Sequence, residues 1–181
     1  MIYPIILFGD PVLKKPAEDI VKDEIDVAEL AADMYETMYQ ANGVGLAAPQ
    51  IGKSVRMFII DSSPMEEEEE GIKQVFINPE IIEETGEEWA FEEGCLSIPG
   101  IREDVIRQPD IKIKFYDEEW VEHEKSFSGL AARVIQHEYD HVEGILFTDH
   151  LSAFKKRLIK SKLANISKGK VKADYRVKAP R

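Results

Sequence analysis

The chain has 181 residues, 44% apolar and 32% charged, with one cysteine and a formal net charge of −12. This size suits one domain with an adequate core, and the composition is that of an ordinary globular protein. A single cysteine excludes an internal disulfide and points to a reducing compartment; no stretch reads as a membrane span, so a cytoplasmic, membrane-free protein is expected.

Residues 1–8 are apolar but lack a basic flank and are interrupted by Pro4, so they do not read as a signal peptide. Asp26 followed by Glu29 reads as a helix cap with an acid in the first turn. Val27, Leu30, Ala31, Met34 and Met38 follow at helical spacing, and Asn42-Gly43 ends the helix. Residues 55–61 predict a strand, and residues 73–77 and 79–84 two more around Asn78-Pro79. Between them, residues 66–70 are five glutamates whose repulsion predicts a solvated loop without a catalytic role.

Ile111, Ile113 and Phe115 alternate with Lys112, Lys114 and Tyr116, as in a half-buried strand. A turn at 117–119 leads to a hairpin partner over 120–127, where His123 reads as a surface strand residue. Ser128 is placed to cap a second helix from about 129 to 143, with Gly144 just past its end. A third helix is expected over roughly 152–165, with Leu151, Phe154 and Leu158 as its apolar face. The expected fold is α+β: mostly antiparallel β-sheets packed around a central helix, with an N-terminal and a C-terminal helix. Residues 1–165 form a single catalytic domain in this reading, and residues 166–181 a basic tail.

Charge is unevenly spread. Residues 155–181 hold eleven Lys or Arg and one acid, Asp174, while residues 1–154 hold 12 bases and 34 acids. The acidic body argues against broad nucleic-acid binding. The basic end reads either as a solvated tail or as a contact for a polyanion. Residues 47–54, AAPQIGKS, resemble a phosphate-binding loop, but a helix precedes them and a strand follows, the reverse of what phosphate binding needs. No nucleotide is expected.

The predicted second helix contains His137-Glu138-Tyr139-Asp140-His141. Residues four apart share a helix face, so both imidazoles can bind one divalent metal, and Glu138 can reach a water on it. A catalytic site of this kind needs a third ligand. In the HExxHxxGxxH pattern it lies six residues after the second His, but that position is Phe147, and no Glu follows Glu143. Asp149 and Asp174 fit neither downstream pattern. Upstream stands the one cysteine, Cys95; a thiolate beside two imidazoles is a workable set, although a lone cysteine is also an ordinary small buried side chain.

Three strings occur in order: GVGLAAPQ at 43–50, EGCLS at 93–97 and QHEYDHVEG at 136–144. Together they resemble the signature of the peptide deformylase family. The resemblance implies a metal-dependent amidohydrolase that removes the N-formyl group from the initiator methionine of new polypeptides and releases formate. It implies Cys95, His137 and His141 as ligands of one metal ion per chain. Fe2+ is implied as the physiological metal, with Zn2+, Ni2+ or Co2+ able to use the same ligands. It implies Glu138 as general base and acid for the attacking water, with the Gln50 side chain and the Leu96 backbone N–H donating to the oxyanion. Val44 and Gly45 are expected to pair with an extended substrate, and Arg102 to contact a substrate carbonyl. Leu130, Arg133 and Val134, with Glu93, are expected to border a pocket for the methionine side chain. The expected partners are N-formylmethionyl nascent polypeptides, with a ribosome contact through the basic end of a monomeric chain. The rival readings are an HExxH metallopeptidase cleaving internal peptide bonds and a non-catalytic metal-binding or ribosome-associated module.

Overall fold

Helix signals in the sequence translate directly into the first α-helix of the computed structural model, which describes residues 1–65 and 71–181; the glutamate run at 66–70 lies outside the described residues. The Asp26 carboxylate accepts from the Glu29 N–H at 3.0 Å and starts α1 (Val27–Gln40), whose buried stripe includes Leu30, Met34 and Met38. Asn42 then adopts a left-handed φ of 57° and turns the chain toward the first metal-site string.

Five strands form an antiparallel sheet in the order β2 (Gly45–Ala47), β3 (Met57–Asp61), β4 (Lys73–Thr85), β7 (Asp110–Tyr116) and β8 (Glu122–Ser128). The expected strands at 73–77 and 79–84 are one strand, because the kink at Asn78-Pro79 is absorbed by register shifts against β7. Asn78 has a φ of 49°, and its side chain makes two hydrogen bonds to the Ile20 backbone, at 2.8 and 2.9 Å. A separate hairpin, β5 (Trp89–Cys95) with β6 (Ile98–Arg107), carries the cysteine at its tip. The sequence reading placed no strands there.

α2 (Gly129–Val142) packs against β2, β3, β7 and β8. Its Ala132, Ile135 and Val142 join Phe58, Phe76 and Phe115 in one cluster, with Phe58 and Phe76 stacked at 4.6 Å. Each fully buried Ile, Val or Phe side chain of this cluster stabilises the fold by about 1.5–3 kcal/mol. Ser128 occupies the N-cap position, but its side chain makes no capping hydrogen bond. Gly144 ends the helix region with a φ of 78°; a Cβ there would lie 2.9 Å from the Lys14 backbone, so only glycine fits.

α3 (Ala153–Ser167) follows, and its apolar face differs from the expectation. Phe154 and Leu158 are 64% and 61% exposed. The buried stripe is instead Ile159, Leu163 and Ile166, spaced four and three residues apart and facing Leu146 and Phe147. Beyond α3, the segment read as a basic tail folds back onto the body, and β9 (Val177–Lys178) pairs in parallel with β1 (Ile5–Ile6). No described helix is long and apolar enough to cross a membrane.

Candidate metal centre and active site

Three elements converge on one point. α2 contributes His137, Glu138 and His141, the tip of the β5–β6 hairpin contributes Cys95 to Ser97, and β2 with the 3-10 turn Ala48–Ile51 contributes Gly45 and Gln50. The ligand atoms of Cys95, His137 and His141 all lie within 4.8 Å of one another. Cys95 Sγ is 3.4 Å from His141 Nε2. Both imidazoles are buried, and the cysteine is half-buried. The donor set fits a divalent transition metal: one thiolate and two imidazoles around a common centre, with a position left for solvent or substrate. Two buried polar atoms here, His141 Nδ1 and Glu138 Oε2, have no hydrogen-bond partner among the described residues.

Glu93 organises the ligand shell. Its Oε1 accepts from His137 Nδ1 at 2.9 Å, which leaves Nε2 of that ring for a metal. Arg107 Nε and Arg133 Nη1 each reach Glu93 Oε2 at 2.8 Å. Burial opposes the Glu93 charge, but hydrogen bonds from His137 and Arg107 outweigh it and hold the carboxyl well below the usual carboxylate range. Burial likewise opposes the His137 cation, yet Cys95 and Glu93 outweigh it and raise its pKa. Burial pushes His141 well below its ordinary value, helped by His137 and Arg107, so it stays in the neutral form a ligand needs.

Because folding lowers the Glu93 pKa, its contribution to stability is complete above the ordinary value of 4.5 and is lost as the pH falls toward the folded value. Glu93→Gln leaves two buried guanidinium groups without their shared counter-charge, a defect worth about 3–5 kcal/mol. The expected result is a melting temperature lowered by roughly 6–20 °C, read by calorimetry at pH 7.

Glu138 is buried, and its Oε1 lies 3.9 Å from His137 Nε2, beside the ligand set rather than in it. Burial, the largest influence, pushes its pKa up to about 7. Gly45 makes room for this carboxylate: a Cβ on Gly45 would lie 2.6 Å from Glu138 Oε1. The glycine was expected to pair with substrate backbone, and its side-chain-free face admits the Glu138 carboxylate as well. Gln50 is only 1% exposed. Its Oε1 accepts from the Ala47 N–H at 3.0 Å, which fixes the amide so that Nε2 points to Cys95 Sγ at 3.4 Å and Ser97 Oγ at 3.2 Å.

These groups border a cleft of about 570 Å³. Val44, Gly45, Leu96, Arg102, Arg133 and Val134 line it. Leu130 does not. It lies on the same helix face as His137 but seven residues earlier, about 10 Å up the axis, outside the cleft. Arg133 is buried, tied to Glu93 and to the Val105 and Trp89 carbonyls, with its guanidinium 4.7 Å from the Trp89 ring. Glu93 lines the cleft too, although its carboxylate faces His137 and the two arginines. Arg102 is exposed and paired with Glu92 at 2.8 Å.

Some residues of the site went unread in the sequence. Arg107 bridges Glu93 and, at 2.9 Å, Asp140, and nothing in its local sequence signals that role. Ser97 and Tyr175 touch Gln50 and Leu96 respectively. The Tyr175 signal was present as strict alternation of apolar and charged residues from Val171 to Ala179.

Comparison with known proteins agrees with this geometry. The family pattern described as Polypeptide deformylase matches residues 2–157. The peptide deformylase of Christiangramia forsetii is 63% identical over 190 aligned positions, covering 99% of this chain and 97% of that protein. That of Cytophaga hutchinsonii is 58% identical, covering 99% and 98%. A crystal structure of a peptide deformylase from Legionella pneumophila superposes with a TM-score of 0.82 at 39% identity, covering 93% of this chain and 96% of that one. The chain belongs to the polypeptide deformylase family.

Proposed function

We propose that this chain hydrolyses the N-formyl group of N-formylmethionyl nascent polypeptides, with Cys95, His137 and His141 holding one divalent metal and Glu138, Gln50 and Leu96 performing the chemistry. The observation that carries this reading is the convergence of the three ligand atoms beside a buried, non-ligating carboxylate and a fixed amide donor. When bound, the metal acts as a Lewis acid and lowers the pKa of water from about 15.7 toward about 7. Fe2+ is the ion we assign, from the family; Zn2+, Ni2+ or Co2+ suits the same donors.

Glu138 takes the proton of the attacking water as oxygen adds to the formyl carbon. The carbonyl oxygen gains negative charge, and Gln50 Nε2 and the Leu96 N–H donate to it. Gln50 suits the task because its Oε1 is already committed to Ala47, so Nε2 needs no reorientation. Glu138 then delivers the proton to the amine nitrogen as the C–N bond breaks, and formate and a free N-terminus result. Burial supports this shuttle, since a carboxyl lifted toward neutrality both accepts and returns a proton readily.

β2 lies at the end of the five-stranded sheet, with β3 on one side. An extended substrate can therefore pair along Val44 and Gly45 as an added strand. Val134, with Glu93 and Arg133 behind it, borders the methionine side chain in this reading. Arg102, exposed at the cleft, contacts a backbone carbonyl of the substrate. A thiolate ligand suits the reducing cytoplasm. The chain acts as a monomer, and exposed Lys156, Arg157, Lys160 and Lys162 on α3 provide the contact to ribosomal RNA. The reaction is tested by offering a formyl-Met peptide beside an N-acetylated peptide of the same sequence. Formate release from the first alone is expected; internal cleavage of either without formate contradicts the assignment.

A further inference from the structure

Residues 171–179 read Val-Lys-Ala-Asp-Tyr-Arg-Val-Lys-Ala. The structure follows this alternation: Val171, Ala173, Tyr175, Val177 and Ala179 are half-buried, and the charged residues between them are exposed. The segment is held along β1, where the Ile5 and Leu7 N–H groups donate to the Arg176 and Lys178 carbonyls, both at 2.9 Å. This clip of the two chain ends reaches the active-site turn. The Tyr175 hydroxyl donates to the Leu96 carbonyl at 2.7 Å, and the Phe8 N–H donates to the Ser97 carbonyl at 2.9 Å. Two consecutive carbonyls after Cys95 are therefore pinned from outside the hairpin. Lys172, Ala173, Asp174 and Tyr175 also line the substrate cleft.

We propose that residues 171–179 are a built part of the active site, in which Tyr175 is a positioning residue that fixes the Leu96 turn for oxyanion stabilisation. The inference rests on the deformylase reading, because it is the Leu96 N–H that the turn aims. A donor aimed before reaction needs no reorganisation at the transition state. The Leu96 carbonyl belongs to the peptide unit after the α-carbon, so the Tyr175 hydrogen bond restrains rotation about the Leu96 Cα–C bond. The unit before the α-carbon carries the Leu96 N–H and joins it to Cys95, so that donor is held between the pinned carbonyl on one side and a metal ligand on the other. Burial pushes the Tyr175 phenol well above its ordinary pKa, so it remains a donor throughout the working range. An interaction that matters for the transition state more than for ground-state binding shows in kcat rather than KM.

The test compares Tyr175→Phe and Tyr175→Ala with the unmodified full-length protein on a formyl-Met peptide. Tyr175→Phe keeps the ring packing and removes only the hydroxyl. It is expected to lower kcat about fivefold or more, with KM within about twofold and with metal content and melting temperature unchanged. Tyr175→Ala is expected to lose at least as much. If both variants hold metal and keep kcat within about twofold of the unmodified protein, the proposal is overturned. A kcat loss that merely tracks loss of metal or of folded protein overturns it too. Absence of formate release by the unmodified protein would instead overturn the deformylase reading, and the proposal with it.

Discussion

Glu138→Ala is expected to lower kcat roughly a thousandfold or more while leaving the bound metal in place. General acid–base catalysis contributes about a hundredfold to ten-thousandfold, and Glu138 serves two proton transfers in one turnover, which puts it toward the upper end. Metal retention follows from geometry. The three ligand atoms converge without Glu138, whose Oε1 stands 3.9 Å from His137 Nε2. The working form of Glu138 is the carboxylate, so kcat/KM falls as the pH drops through its pKa. Burial sets that value at about 7 in the metal-free protein, and a neighbouring cation moves it lower. The acid limb of the pH profile therefore lies below about 7, and it disappears in Glu138→Gln. Turnover undiminished in Glu138→Ala, or metal lost with the side chain, would refute the assigned role.

Cys95→Ala should abolish activity for a different reason: the metal leaves. Loss of an outer partner of a metal ligand typically weakens binding 10–100-fold, and loss of a ligand itself should weaken it at least about 100-fold. Without the thiolate, the two imidazoles that α2 holds together are left as a two-ligand set, one short of the three protein ligands a catalytic centre of this kind uses. Elemental analysis after dialysis, on a variant whose melting profile shows it folded, separates this from a folding defect. A folded Cys95→Ala protein that retained one metal per chain would place the third ligand elsewhere.

The central helix was legible in the sequence because helical spacing and metal-ligand spacing coincide there: His137 and His141 are four apart, and Ala132, Ile135, Tyr139 and Val142, three or four apart, meet the Phe58–Phe76–Phe115 cluster. The strands β3, β4, β7 and β8 were legible in the sequence as apolar runs and period-two patterns such as Ile111 to Tyr116, with β4 read as two strands and only the β7–β8 pairing read; the sheet order was not legible. Nor was the β5–β6 hairpin. Its inward side interleaves the charged Glu93 and Arg107 with buried Ile101 and Val105, and charges at core-facing positions break up the apolar alternation. The same pair explains why Glu93 was read as a pocket wall. Its partner Arg107 lies fourteen residues away, across the hairpin, and its partners on α2 lie forty or more away. Long-range ion pairs leave no periodic trace.

The α3 face was misjudged for a simpler cause. Phe154 and Leu158 lie four apart on one helix face, but the helix lies with Ile159 and Ile166 toward Phe147, and that choice is made by the body it packs on. For the chain end, composition spoke against pattern. Eleven basic residues from Lys155 onward drew attention to charge, while the alternation at 171–179 carried the structural message.

The central claim is that metal held by Cys95, His137 and His141 makes this chain release formate from formylated polypeptides. It is tested most directly by preparing the protein anaerobically and measuring, on one sample, metal per chain and formate released from a formyl-Met peptide. Formate release that rises in proportion to metal content, saturating near one ion per chain and vanishing on chelation, is the predicted result. Formate release independent of metal content, or peptide-bond cleavage without formate, would contradict the account.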